Sequence, residues 1–210
     1  MGYIIFGLIA YVLGSIPSAL WIGKKYYGVD VRKQGSKNAG ATNTFRVLGK
    51  KAGIIVLLMD IIKGILAVST PYFVNQFFNL SWSHEYLIHV QLITALSVIL
   101  GHVYPVFANF KGGKGVATSL GVIIALHPPT ALVCFILFFI VFLIFNYVSL
   151  GAIVASVSFP LVIHFVFKEK DIWLNLFSVF LGLAVIVAHK KNIKRLINKE
   201  ESKMRLFKKK

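Results

Sequence analysis

Acidic residues are scarce in this chain. Seven carboxylates among 210 residues stand against 23 lysines and arginines, leaving a formal net charge of +16 with histidine neutral. Charged residues of both signs make up only 14%, hydrophobic residues 57%, and the mean hydropathy is +0.78. That balance excludes an ordinary soluble domain of this length and predicts an integral membrane protein. Cysteine is nearly absent: Cys134 stands alone in an apolar run, which excludes an intramolecular disulfide and argues against a thiolate metal site. Basic residues are also missing ahead of the first apolar stretch, MGYIIFGLIAYVLGSIPSALWIGKK, and follow it instead. This argues for a first transmembrane helix and against a cleaved signal peptide. No convincing internal repeat appears, so one compact helical bundle over residues 1–210 is the simplest architecture.

A helical span needs about 20 apolar residues. Six such runs fall at roughly 2–23, 52–74, 86–108, 130–147, 149–167 and 171–189. A shorter run, GVATSLGVIIAL at 115–126, reaches only about 18 Å at 1.5 Å per residue and needs neighbours to complete a crossing. The cations choose between six spans and seven. Residues 24–51, the pair Lys111 and Lys114, and residues 190–210 together hold 20 of the 23 lysines and arginines. With seven spans all three clusters share one face, which the positive-inside rule makes cytoplasmic. The expected fold is therefore an all-α, polytopic bundle of seven transmembrane helices, one of them short. Its N-terminus lies outside and its C-terminus, a basic tail over 190–210, in the cytoplasm.

Three segments on that face carry unusual polar chemistry. The first, DVRKQGSKNAGATNTFRVLGKKAG (30–53), interleaves cations with small hydroxyl, amide and glycine residues. Such loops can direct backbone N–H groups, hydroxyls and cations onto one anion. Contact with lipid headgroups is the simpler alternative, but attraction to lipid requires charge alone and has no use for Gly35, Ser36, Asn38, Gly40, Thr42 and Asn43 in close array. The second, GHVYPVFANFKGGKGVATS (101–119), is not a Walker A loop: Gly115 follows Lys114 where Ser or Thr is required, and Ala108 stands where the first glycine belongs. What remains is Lys111, Gly112, Gly113, Lys114 and Gly115 feeding the start of a short helix, where free N–H groups and the helix dipole favour an anion. A flexible turn with snorkelling lysines is the competing reading. In the third, AHKKNIKRLINKEESK (188–203), His189 and Asn192 are three apart and share a helical face; capping is an alternative role for the histidine. Ser149 and Asn146, in FNYVSLG, could complete a polar pocket, or Ser149 could cap a helix. Inside the second span, Asp60 and Lys63 read mainly as a structural ion pair, and His102 as an orienting residue.

In order and spacing, GSIPSA, GSKNAGATNTFRVLG, GHVYPVFANFKGGKGVAT, SLG and HKKNIKRL resemble the bacterial PlsY-type glycerol-3-phosphate acyltransferases. The resemblance covers essentially the whole chain. It implies a multi-pass enzyme of the bacterial inner membrane, active on its cytoplasmic face in phospholipid biosynthesis. It implies transfer of a fatty acyl group from acyl phosphate to the 1-hydroxyl of glycerol 3-phosphate, giving lysophosphatidic acid and phosphate, with membrane lipid around it and no cofactor, metal or nucleic-acid partner. By the same resemblance Ser36, Arg46, Lys111, His189 and Asn192 are the expected catalytic residues, and Asn38, Thr42, Asn43, Gly112, Gly113, Lys114, Gly115 and Ser149 the expected substrate-binding ones. Tyr104 and Lys199 depart from the family pattern in the loops; Glu201 keeps its acidic position in the tail.

An acyl phosphate is a mixed anhydride with a good leaving group, so a strong base is not demanded. The greater difficulty is repulsion between two phosphorylated anions, roughly 4 kcal/mol per like-charge pair at 4 Å and an effective dielectric near 20. Arg46, Lys111 and Lys114 suit that task, and the resemblance implies that the donor's phosphate accepts the hydroxyl proton; His189 as general base is the competing version. Acyl-CoA donors are disfavoured, because CoA-dependent acyltransferases use a histidine and an aspartate with four residues between them, and no histidine here has that partner. A transporter for an anionic phosphorylated metabolite is the main alternative function, but it predicts polar residues along a transmembrane path and matching halves. A scaffold for lipid-synthesis enzymes is a third.

Overall fold

The computed structural model describes residues 2–204, and all regular structure among them is helical. Residues 205–210 of the basic tail, with Lys208–Lys210, lie outside the described residues. The chain divides into two compact units, one ending at Leu126 and the other beginning at His127.

The first unit contains α1 (Gly2–Gly14), α2 (Ser18–Tyr27), α3 (Ala41–Leu48), α4 (Lys50–Phe77), α5 (His84–Val103) and α6 (Val116–Leu126). Pro17 lacks an N–H and fixes its φ, so the expected span at 2–23 is broken between α1 and α2. Ile16 lies in this break, and its carbonyl accepts a hydrogen bond from Lys63 Nζ at 3.0 Å. Lys63 also meets Asp60 Oδ1 at 2.9 Å, and Ser18 Oγ donates to the same oxygen at 2.9 Å. Asp60 and Lys63, on α4, are 1% and 4% exposed. The intrahelical pair expected from sequence is thus present, and it also ties the broken first helix to α4.

Glycines allow the close helix approaches in this unit. A Cβ at Gly121 of α6 would run into the Ile61 carbonyl of α4, and one at Gly64 of α4 into the Thr118 carbonyl of α6. The α1–α5 pair is similarly close, with Gly14 against the Val98 carbonyl and Gly101 against that of Tyr11. Small residues that let backbones meet are how apolar helices associate where burial from water offers no gain.

The second unit holds α7 (Pro128–Phe145), α8 (Val148–Leu161), a π turn (Val162–Val166), α9 (Ile172–Ala188) and α10 (Lys190–Ile197). Two prolines open α7, where their missing N–H groups cost no helical bond, and Asn146 ends it at φ 61°. Asp171 caps α9 by accepting from Leu174 N at 2.8 Å. The last motif does not simply continue the last span: the helix breaks at His189, and α10 leaves α9 at 59°.

Among the described residues, five helical segments are long and apolar enough to cross a membrane: Gly2–Tyr27, Lys50–Phe77, His84–Ala108, Pro128–Phe145 and Val148–Val166. The bent α9–α10 pair makes a sixth, and α6, with 11 residues, is the short apolar helix expected at 115–126. Large apolar side chains remain exposed along these helices, among them Leu8, Leu58, Leu100, Ile140 and Phe180. Such a surface suits hydrocarbon and would be untenable in water.

The α4–α6 crossing generates a prediction. Gly121→Leu forces side-chain atoms into the Ile61 backbone and should destabilise the protein by about 1–3 kcal/mol, the scale of core overpacking. Thermal unfolding of the purified variant in detergent should show a lower midpoint; an unchanged midpoint would mean the helices do not meet there.

Candidate active site

Two loops of the first unit carry most of the expected site residues. The first begins with a turn, Val31–Lys33, capped by Asp30, whose Oδ1 accepts from Arg32 N at 3.0 Å. Val31 is fully buried, in a cluster with Ala19 and Val56, which anchors the loop in the apolar interior. Arg32 then grips Asp30 through Nε (3.0 Å) and Nη2 (2.8 Å), while its Nη1 donates to the Ala108 carbonyl of the second loop at 3.0 Å. The Arg32 hydrogen bonds hold the Asp30 carboxyl well below the usual carboxylate range, at about 2, against the opposing effect of burial. The guanidinium is held charged in return.

Asn43, at 1% exposure, is the internal tie of this loop. Its Nδ2 donates to the carbonyls of Val31 (2.7 Å) and Gln34 (3.1 Å), and its Oδ1 accepts from Ser36 N (2.8 Å). The side chain expected to meet substrate is therefore committed to holding backbone, and its effect on Ser36 is indirect. Gly35, at φ 58°, occupies the left-handed region beside Asn43 and the stem of Arg46, where a Cβ would overlap the amide oxygen. Ser36 and Arg46 are exposed, Asn38 and Thr42 half-buried.

The second loop corrects an expectation about its glycines. Gly112 N donates to the Val103 carbonyl at 3.1 Å and Gly113 N to that of His102 at 3.2 Å, so these two amides turn onto the end of α5 and not toward a phosphate. Lys111 N likewise donates to Ala108 O at 3.2 Å. Glycine is required for space: a Cβ at Gly112 would strike the His102 carbonyl, and one at Gly113 the His102 ring. Gly115, at φ 82°, then turns the chain into α6, whose first turns hold the buried Thr118 and Ser119, hydroxyls without hydrogen-bond partners. Between the two loops lies a cleft of about 450 Å³ lined by Asp30, Arg32, Lys33, Lys37, Asn109, Lys111 and Gly112. Because Asp30 is matched by Arg32, the three lysines leave the cleft with a positive balance.

The second unit brings Ser149 and Asn192 together on one carboxylate. Ser149 Oγ (2.8 Å) and Asn192 Nδ2 (2.7 Å) both donate to Glu201 Oε1, and Arg195 Nε donates to Oε2 at 2.6 Å. Burial raises the Glu201 pKa, but the bonds from Arg195, Asn192 and Ser149 outweigh it and leave the carboxyl lowered. Met204 N donates to the Asn146 carbonyl at 2.8 Å, strapping the chain after α10 across the α7–α8 junction. The capping alternative for Ser149 is overturned, since Tyr147 is the N-cap of α8 and makes no side-chain cap. His189, 4% exposed, stands at the α9–α10 break with Nδ1 donating to the Val185 carbonyl at 2.8 Å.

Asp30 and Arg32 received no individual role from sequence. A signal existed, because Asp30 is the only carboxylate in a strongly basic loop and stands two residues before an arginine. Glu201 was noticed only as a family position; its partners, up to 52 residues away in sequence, become visible only in the fold.

These features define a multi-pass membrane protein whose polar machinery lies in cationic, glycine-rich loops at helix ends. A family model described as glycerol-3-phosphate acyltransferase matches residues 4–199. Curated relatives named glycerol-3-phosphate acyltransferase include one from Fusobacterium nucleatum, 43% identical over 98% of this chain and 100% of its own length. Another, from Listeria welshimeri, is 45% identical over 96% of each chain. The crystal structure of PlsY (YgiH), an integral membrane glycerol 3-phosphate acyltransferase, in its glycerol 3-phosphate form is 37% identical, with a TM-score of 0.84 over 98% of this chain and 96% of that one. Its lysophosphatidic acid form gives 36% and 0.81. The chain belongs to the PlsY-type glycerol-3-phosphate acyltransferase family.

Glu201 carries a pH prediction. Its carboxyl is lowered in the folded protein, so its stabilising effect is complete above the ordinary glutamate pKa of about 4.3 and is lost as pH falls through the folded value. Wild type should therefore unfold at a higher temperature than Glu201→Gln at pH 7, and the gap should narrow toward pH 3. A gap independent of pH would show that ionisation of Glu201 is not what holds Ser149 and Asn192.

Proposed function

We propose that this protein transfers a fatty acyl group from acyl phosphate to the 1-hydroxyl of glycerol 3-phosphate, releasing lysophosphatidic acid and inorganic phosphate. The reaction opens phospholipid synthesis at the cytoplasmic face of a bacterial inner membrane. The observation that carries the reading is the meeting of two cationic loops across the Arg32–Ala108 hydrogen bond, beside a cleft lined by Lys33, Lys37 and Lys111. It is supported by relatives named glycerol-3-phosphate acyltransferase that match over 96% to 100% of their own length.

In this reading catalysis is mainly positioning and charge neutralisation. Lys111, Lys114 and Arg46 offset the repulsion between the two phosphorylated reactants, Ser36 sits at the tip of the loop that Asn43 organises, and the start of α6 receives negative charge. Asn43, Gly112 and Gly113 act by shaping the loops. Asn38, Thr42 and Gly115 are assigned to substrate binding, and Ser149, His189 and Asn192 to the same reaction, on the family resemblance. The donor's phosphate accepts the hydroxyl proton. The chain crosses the membrane seven times, counting α6 and the bent α9–α10 segment once each, with its N-terminus outside and the α10 side in the cytoplasm; this arrangement gathers the cationic segments on one face.

Purified protein in detergent, given palmitoyl phosphate and glycerol 3-phosphate, should release phosphate only when both are present; folded protein that does not would refute the proposal. Lys111→Ala should lower kcat/KM by about 100-fold or more, the effect of removing one preorganised charge contact. His189→Ala tests the proton's route: a loss of several orders of magnitude in kcat with substrate affinity unchanged would assign general base catalysis to His189 in place of the donor's phosphate.

A further inference from the structure

His102 lies on the boundary between the buried ionic centre of α4 and the Lys111–Gly115 loop. It is 6% exposed near the end of α5, with Nδ1 3.6 Å from Asp60 Oδ1. That oxygen also receives Lys63 and Ser18, so its place is set from three directions. The opposite edge of the ring, at Nε2, occupies the space that a Cβ at Gly113 would need. The backbone repeats the contact, because the His102 carbonyl accepts from Gly113 N and Gly112 has no room for a side chain above it. Gly113 also packs beside the Ala39 carbonyl of the first loop. The ring therefore fills the narrow space between an immobile carboxylate and the two glycines that separate Lys111 from Lys114.

We infer that His102 is a positioning residue for phosphate binding. Held from below by Asp60, its ring sets the height of Gly112–Gly113 and so the placement of the flanking Lys111 and Lys114 against a phosphate monoester. Its role is steric and orientational: it touches loop backbone and makes no bond to substrate. An imidazole is suited to this, being rigid, flat, and able to offer a nitrogen on each edge. The inference rests on the function proposed above, in which this loop meets the phosphate of glycerol 3-phosphate.

The test measures glycerol 3-phosphate affinity by isothermal titration of the full-length protein in detergent, alongside KM for each reactant. His102→Ala should weaken glycerol 3-phosphate binding by about ten- to a hundredfold, the cost of misplacing a contact by about an ångström, with a smaller change in KM for palmitoyl phosphate. Gly113→Ala should do the same from the other side of the contact. If the ring is the obstacle, the two losses are coupled: in the His102→Ala background, Gly113→Ala should add less than about threefold, a departure from additivity expected only of residues in contact. Should His102→Ala fail to fold, His102→Asn keeps an amide nitrogen within reach of Asp60 while removing the far edge of the ring, and it should tolerate Gly113→Ala in the same way. Wild-type affinity in His102→Ala, or a Gly113→Ala cost that is the same in every background, overturns the inference and leaves the acyltransferase reading standing. Wild-type protein that neither binds glycerol 3-phosphate nor acylates it overturns both.

Discussion

A carboxylate inside an apolar helix bundle must be answered by nearby donors, and much of the first unit is arranged around that requirement at Asp60. Burying a charge is expensive, and removing the partner of a buried ion commonly costs about 3–5 kcal/mol. The answer comes from Lys63 on the same helix, Ser18 just after the Pro17 break, and the His102 ring near the end of α5. Lys63 in turn satisfies the Ile16 carbonyl in the break. One ionic centre thus reconciles a broken helix with an apolar surrounding and, through the His102 ring, lies beneath the Lys111–Gly115 loop.

Beyond that centre, loop geometry comes from side chains that bond backbone. Asn43 gathers Val31, Gln34 and Ser36, and Arg32 joins Asp30 to Ala108. Lys33, Lys37 and Lys111 line the cleft between these loops. The second unit uses the same economy, with a single carboxylate, Glu201, collecting Ser149, Asn192 and Arg195. Three of the seven acidic residues, Asp30, Asp60 and Glu201, thus stand where each collects cations, hydroxyls or amides.

Much of this was legible from residue order. Apolar run lengths located the helices to within a few residues, α6 was recognised as too short to cross alone, and Asp60 with Lys63 was read as a pair because intramembrane charges demand partners. The glycine-rich loop was located correctly and explained incompletely. Flexible, cation-flanked glycines suggest amides turned toward phosphate, whereas Gly112 and Gly113 turn theirs toward α5 and are small because His102 lies beneath them. Ser149 had two readings, pocket and cap, and neither anticipated Glu201 as its hydrogen-bond acceptor.

By itself the sequence determined the membrane class, the helical architecture, the cationic segments and the family, because these follow from composition, run length and local spacing, which act along the chain. Only the tertiary structure decided which polar groups are committed to holding backbone and other side chains. Asn43, Arg32, His102 and Glu201 have roles that depend on partners distant in sequence, among them Ser36, Ala108, Asp60 and Ser149. A hydrogen bond at that separation depends on how helices pack, and the packing depends on glycine contacts such as Gly121 against Ile61 that no local pattern of residues reveals.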